Sequence, residues 1–355
     1  MNPGVAESNH GRDVFLPWNN PDNIISFEAY MLIEHVLVCY VNPSVFFVGF
    51  PTNILNCVVF VRQGLRDRMN LCLFCLALVD MFYVVLYSLS GSHCWVGFFR
   101  PDLENWWKWS VRSNLIGFYQ GFQLSSGCLT MIISVERCVC VFMPLKASTL
   151  VKTRTIGLLI LSTVFVVQLL CLTYSLKMDV VLRSNPFTNV TDYQLFPSSL
   201  YFKHQLIFDI IQDIVTNTVI PLFTFTVVFV STIITVVQLK RTIAWRQSSS
   251  SSLQENSATS RQLTLVKTLV IVSCIFIFTS SPIVALSTGS LLEPEFFINR
   301  RYNNLFYVSY LLYSTLCLIN SSINFFVYVH RSSRYREELR ALPAFRSLCR
   351  YVWMR

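Results

Sequence analysis

Seven long apolar stretches, almost free of charge, constrain this chain more than any other feature. They run His35–Val61, Leu115–Val135, Thr155–Leu176, Ile214–Leu239, Thr268–Leu292 and Leu305–Val329, with a seventh, Met69–Trp95, broken only by Asp80 and His93. Each reaches the length of about 20 residues that a helix needs to cross the hydrocarbon core of a bilayer. The expected fold is therefore an all-α membrane protein, a bundle of seven transmembrane helices. A carboxylate such as Asp80 costs about 2.5–3.5 kcal/mol at mid-helix, so it marks a polar site built into the bundle.

Charge supports the same reading. Only 13% of the 355 residues are charged, about half the share in soluble domains. A net charge of +9 suggests a nucleic-acid partner at first sight, but its distribution argues otherwise. Segments between odd- and even-numbered spans, with the tail, hold 18 of the 28 lysines and arginines, Lys267 lies just inside span six, and the opposite side holds nine. Basic residues are retained in the cytoplasm, so the N-terminus is expected outside and the tail inside, in a multi-pass plasma-membrane protein. No nucleic-acid-binding motif accompanies the surplus, and no nucleic acid is expected.

The organisation follows from these spans. Residues 1–33 form a polar outer N-terminus without the charged and apolar regions of a signal peptide. Residues 34–329 hold the seven spans, and residues 330–355 form an inner tail. Asn189-Val190-Thr191 is a glycosylation sequon in the loop between spans four and five, expected outside. The inner loop at 240–262 contains the tract Ser248–Ser252, read either as a solvated linker or as a phosphorylation segment. After span seven, Tyr335, Leu339 and Leu342 share one helical face opposite charged residues, the pattern of a short amphipathic helix on the inner membrane surface. Cys349 beyond it is either a palmitoylation site or an unmodified thiol.

The polar residues within the spans recur in a pattern. Span one has Gly49-Phe50-Pro51-Thr52-Asn53, and span two has Asn70 followed by Leu76-Ala77-Leu78-Val79-Asp80. Span three ends in Ser134-Val135-Glu136-Arg137-Cys138, with Pro144-Leu145 beyond. Span five has Pro221, span six Phe276 and Pro282, and span seven Asn320-Ser321-Ser322-Ile323-Asn324 through Tyr328. Together these resemble the rhodopsin-like G-protein-coupled receptors from about Asn53 to Leu339. The strings Pro51-Thr52-Asn53, Gln63 through Phe74 and Glu136 through Val141 are similar to gastropod chemosensory receptors and their FMRFamide-receptor-like relatives.

That resemblance implies roles. Asp80, Ser126, Asn320, Ser321 and Asn324 match positions that in this family surround a buried sodium ion; the alternative is a hydrogen-bonded water network. One carboxylate with neutral oxygens suits a hard monovalent cation. Glu136 and Arg137 match the acidic–arginine pair that rests closed and opens to a heterotrimeric G protein, where a plain interfacial ion pair is the simpler reading. Tyr328 matches the tyrosine that moves inward on activation, and Phe276 the aromatic pivot of span six. Departures are also present: Cys138 follows the arginine in place of Tyr, Ser280 and Phe229 replace an aromatic toggle and an activation Tyr, and Phe325 follows Asn324 where proline is expected, removing a helix break.

Rival functions are separated by single residues. The last lysine is Lys267, so span seven has none to bind retinal. Tyr119 stands where amine receptors carry an aspartate. A polar-core transporter or channel is the alternative class, though no internal repeat is evident. No catalytic or phosphate-cradling motif points to an enzyme, and beyond sodium no cofactor is implied.

Two expectations concern the outer half. The disulfide usual in this family cannot form, because Arg112 replaces the span-three Cys and Lys177–His204 contains none. Cys39 lies 14 residues before Asn53 and Cys94 14 residues after Asp80, which places both thiols about 21 Å outward of two core residues. A replacement Cys39–Cys94 disulfide is expected in the oxidising exterior, against two buried free thiols. In span five, Asp209, Asp213 and Asn217 are spaced as one helical stripe, expected to face the bundle cavity, because unpaired carboxylates avoid hydrocarbon. The resemblance adds Tyr119, Gln123, Ser287, Tyr310 and Ser314 to that cavity. Two acids among aromatics suit a cationic small molecule or basic peptide; the competing reading has Asp209 solvated near the interface or neutralised by Arg300 or Arg301 of the last outer loop.

Overall fold

The computed structural model describes residues 18, 20, 23–143, 152–184, 191–249, 257–297 and 300–343. Asn189, Cys349 and Pro144-Leu145 lie outside the described residues, as does most of the Ser248–Ser252 tract. Among the described residues, seven helices are long and apolar enough to cross a membrane: Phe27–Gln63, Arg68–Ser90, Pro101–Phe142, Thr153–Lys177, Gln205–Ala244, Val266–Leu292 and Asn303–Arg331. They are spans one to seven; six outrun the apolar runs that announce them, whereas span two stops at Ser90, short of the expected Trp95, because Gly91 and Ser92 turn the chain into a separate helix, His93–Phe99. Once the hydrocarbon segment is helical, its backbone hydrogen bonds continue into polar flanks without further nucleation. Span three is the longest at 42 residues, about 63 Å by helical rise. Helix also persists to Ser249 after span five and resumes at Ser257, which shortens the inner loop expected at 240–262.

Local chemistry sets several helix ends. Ser26 Oγ accepts the Ala29 N–H at 3.2 Å and caps span one. Asp67 Oδ1 accepts from the Met69 and Asn70 N–H groups at 2.9 and 3.1 Å and caps span two. Between them Gly64 turns the chain at φ 92°, a left-handed region that favours glycine. Span seven runs unbroken from Asn303 to Arg331, as a chain with Phe325 in place of proline should.

Spans one and seven approach closely at Gly49, whose missing Cβ would sit 2.9 Å from Ser322 Cβ. Asn53 uses that proximity: its Nδ2 donates to Gly49 O at 2.9 Å and to Ser321 O at 2.8 Å. The inner half is packed around Val59, Cys72, Leu76, Leu129 and Tyr335, all buried. Residues such as Leu161, Phe223 and Phe278 lie exposed on the outside, where lipid covers them.

Two features lie outside the seven spans. β1 (Met178–Ser184) and β2 (Thr191–Pro197) form an antiparallel hairpin between spans four and five, with Met178 opposite Pro197 and Ser184 opposite Thr191. Asn105 Oδ1 of span three accepts the Tyr193 N–H at 2.7 Å, so a side-chain amide tethers this cysteine-free loop. The second feature is the helix Ser333–Arg340. It buries Tyr335 and Leu339 against spans one and seven, where a membrane-surface helix would turn them to lipid. The Tyr335 hydroxyl donates to Asn56 Oδ1 at 2.7 Å.

A disulfide joins Cys39 of span one to Cys94 of the short helix His93–Phe99, with Cα atoms 5.7 Å apart. It closes a segment of 55 residues, and removing such a bond costs about 2–4 kcal/mol. The expected outcome is a lower melting temperature for Cys39→Ser and for Cys94→Ser, with the double variant no worse than either. Peptide mapping under non-reducing conditions that found both thiols alkylated would rule the bond out.

Candidate functional site

The centre of the bundle is organised by Asp80, which is fully buried. Ser126 Oγ and Ser321 Oγ donate to its Oδ1 at 2.6 and 2.9 Å, and Asn324 Nδ2 donates to Oδ2 at 3.0 Å. Among the described residues no cation forms an ion pair with it. Asn320, Ser126 and Ser321 line an adjoining cavity of about 40 Å³, with Gln123, Phe276 and Ser280 on its other walls. Such a volume has room for a few waters or a small ion. Four of the five residues expected around a cation are thus in contact, and the fifth, Asn320, faces the same cavity.

The inner end is organised by Glu136, also buried. Its carboxylate accepts a forked pair of hydrogen bonds from Arg137, the Nη2 branch at 2.6 Å. A second cation, Arg68 at the start of span two, reaches Glu136 Oε1 at 3.0 Å. Arg68 Nη2 also lies 3.2 Å from Cys140 Sγ, which lies 3.3 Å from Glu136 Oε1. Sequence reasoning missed Arg68 because it reads as one more basic residue of an inner loop. Nearby, buried Tyr328 packs against Phe60 and Tyr335 at ring-centroid distances of 5.3 and 5.7 Å. Ser134 Oγ and Ser273 Oγ, 2.9 Å apart, tie spans three and six, and Phe276 is buried one turn outward.

The residues expected at a ligand cavity divide into three groups. Gln123, Asn217 and Tyr310 line one cavity of about 30 Å³ with Gln120, Tyr174 and Thr216. It shares Gln123, Leu124, Pro221, Ile283 and Tyr313 with the central cavity, so the two adjoin. Pro221 has no N–H for the Asn217 carbonyl, and Ser287 Oγ of span six donates to that oxygen at 2.9 Å instead. Asn217 Oδ1 accepts from the Tyr174 hydroxyl at 2.7 Å, and Tyr310 accepts from Gln120. Tyr119 lines a separate cavity nearer spans one and two. Ser314 is buried and uses its carbonyl to accept from the Tyr83 hydroxyl at 3.2 Å.

The acidic stripe is split. Ile210–Val219 is a π-helix, whose i→i+5 hydrogen bonds widen each turn, so residues four apart no longer stack. Gln212 and Thr216 are the buried residues of this stretch. Asp209 sits at the outer rim in an ion pair with Lys177 Nζ at 3.2 Å, and the Tyr201 hydroxyl donates to it at 3.1 Å. Lys177, the residue directly after the apolar run of span four, neutralises it, rather than Arg300 or Arg301 of the competing reading. Asp213 is half-buried and is absent from the lining of the Asn217 cavity.

Two charged residues that sequence reasoning did not single out as a site face the outer cavity beside Tyr119. They are Glu34 of span one and Arg112 of span three, 4.0 Å apart. Their one sequence signal is an ionisable residue at the outer end of each apolar run.

Seven membrane-length helices around a buried carboxylate, with an acid–arginine clamp at one end, form the architecture of a seven-helix G-protein-coupled receptor. The chain belongs to the family described as Serpentine type 7TM GPCR chemoreceptor Srw, whose model matches residues 40–345. A search of curated proteins found no match.

Proposed function

We propose that this chain is a plasma-membrane receptor for an extracellular chemical cue, a small molecule or a peptide, and that it activates a heterotrimeric G protein. The observation that carries the proposal is the buried Glu136 carboxylate held by both Arg137 and Arg68. A charged clamp of this kind, closed at the inner end of span three, is a switch: opening it presents Arg137 to a cytoplasmic partner. The resemblance to rhodopsin-like receptors and to the gastropod chemosensory group supports the same assignment of roles to Phe276, Asn324 and Tyr328. The Cys39–Cys94 bond supports an outer location for that end of the bundle, with the N-terminus extracellular and the tail cytoplasmic.

Asp80, Ser126, Asn320, Ser321 and Asn324 fit a sodium ion. The fit rests on a fully buried carboxylate with only neutral donors, next to a polar-lined space. When bound, the ion supplies a counter-charge to Asp80. These side chains hold the inner halves of spans two, three and seven together in either case.

The test of the receptor reading is guanine-nucleotide exchange on co-expressed G proteins, against a panel of peptides, amines and small odorants, with membrane current recorded in the same cells. Ligand-dependent exchange is expected. Current without exchange would favour the transporter or channel alternative.

With Asp209 occupied by Lys177, Asp213 is the acid of span five left for a cationic group on the ligand. Replacing it as Asp213→Asn is expected to lower the potency of a cationic agonist at least tenfold, about 1.4 kcal/mol. A potent agonist without positive charge, equally active on the variant, would overturn that role.

A further inference from the structure

The cavity that Tyr119 lines lies between the outer halves of spans one, two, three and seven, walled by Val38, Tyr87, Gly91 and Leu311. Four of its polar groups, Glu34, Ser88, His93 and Arg112, keep hydrogen-bonding capacity in reserve. Arg112 pairs with Glu34 at 4.0 Å, beyond hydrogen-bond distance. A guanidinium carries five N–H donors in a planar fork, so most of this one remain available. Ser88 Oγ and His93 Nδ1, both on this cavity, are buried with no hydrogen-bond partner among the described residues. Buried polar atoms are normally satisfied, and each orphan costs about 1–3 kcal/mol. Two of them on one small cavity ask for an occupant.

The signs of these groups define it. Arg112 and Ser88 offer donors on one side. Glu34 offers carboxylate acceptors. His93 Nε2 lies 3.5 Å from Cys94 Sγ, which places its N–H toward the sulfur and leaves Nδ1 an acceptor. Burial, and then the positive charge of Lys108, push the His93 ring down to about 4, so it is neutral near pH 7. The cavity volume of about 40 Å³ is room for about three waters, enough for a compact molecule and too little for a peptide.

The geometry points to a binding site for a small free α-amino acid, its carboxylate on the Arg112 fork and Ser88 Oγ, its ammonium on Glu34 and His93 Nδ1. Bidentate pairing with guanidinium is the strongest recognition available to a carboxylate in such a site, and the ammonium replaces Arg112 as the close partner of Glu34. The Cys39–Cys94 bond holds the wall that carries His93. The site deepens the receptor reading by naming a ligand class, but binding itself does not depend on G-protein coupling.

Purified full-length receptor in phosphatidylcholine nanodiscs, titrated with glycine and alanine and followed by melting temperature and calorimetry, tests it directly. Both amino acids are expected to stabilise the protein, with glycinamide and acetate each at least tenfold weaker than glycine. Arg112→Gln should erase the preference for glycine over glycinamide, and Glu34→Gln the preference for glycine over acetate, a charge-specific split that loss of structure would not produce. If either variant fails to fold, the three ligands on the parent protein still decide. No stabilisation by either amino acid, or equal binding of glycine, glycinamide and acetate, would overturn the proposal. Amino-acid binding without nucleotide exchange would reject the receptor reading and leave the site; exchange driven by ligands of other chemistry, with no glycine binding, would do the reverse.

Discussion

Arg137→Ala is expected to bring ligand-stimulated nucleotide exchange down to the level of receptor-free membranes while surface expression stays near that of the parent. The physical case rests on what surrounds Glu136. Its carboxylate is buried and shared by Arg137 of span three and Arg68 of span two. Removing one partner of a buried pair normally costs about 3–5 kcal/mol because a charge is left unpaired. Here Arg68 remains as a second counter-ion, so folding survives and the loss falls on coupling. The complementary variant, Glu136→Gln, keeps the shape and removes the charge that holds both arginines. Its basal exchange is expected to rise about tenfold, the effect of weakening the closed state by about 1.4 kcal/mol. Arg68→Ala should raise it less, since the Arg137 fork stays in place. Normal signalling by Arg137→Ala would refute the role given to this pair.

At the centre, Asp80→Asn is expected to abolish any sodium dependence of agonist affinity. The amide keeps an acceptor for Ser126 and Ser321 but loses the counter-charge that a cation requires. Asp80→Ala should do something different and larger. It leaves the donors of Ser126, Ser321 and Asn324 without their acceptor, at about 1–3 kcal/mol for each buried orphan. A marked fall in melting temperature and in surface expression is the expected result for Asp80→Ala, against near-parental values for Asp80→Asn. Equal sodium sensitivity in Asp80→Asn and parent would mean that the pocket holds only water.

Some of this site was legible in the chain and some was not, for physical reasons. Asp80, Glu136 and Arg137 stand out because an ionisable residue in or beside an apolar run is a local signal. Their partners are not local: Ser321 lies 241 residues from Asp80, and Tyr335 lies 279 residues from Asn56. The face shared by Tyr335, Leu339 and Leu342 could be read from helical spacing, but what covers it could not. The stripe Asp209, Asp213 and Asn217 was drawn on an α-helix, and the π turn at Ile210–Val219 redistributed it. The hairpin carries a short signal of its own in the polar and apolar alternation of Asp192-Tyr193-Gln194-Leu195.

What the residues by themselves determined is the membrane as solvent, the number and order of the spans, and the depth at which each charge enters them. Those properties depend on the transfer free energy of contiguous side chains and on backbone hydrogen bonds closed within each helix, so no distant contact is needed to read them. The tertiary structure alone decided which charges meet: Arg68 with Glu136, Lys177 with Asp209, and Glu34 facing Arg112 across an open gap. Pairings of this kind depend on how rigid helices rotate and tilt against one another, and a shift of one residue in helical phase turns a side chain by about 100°.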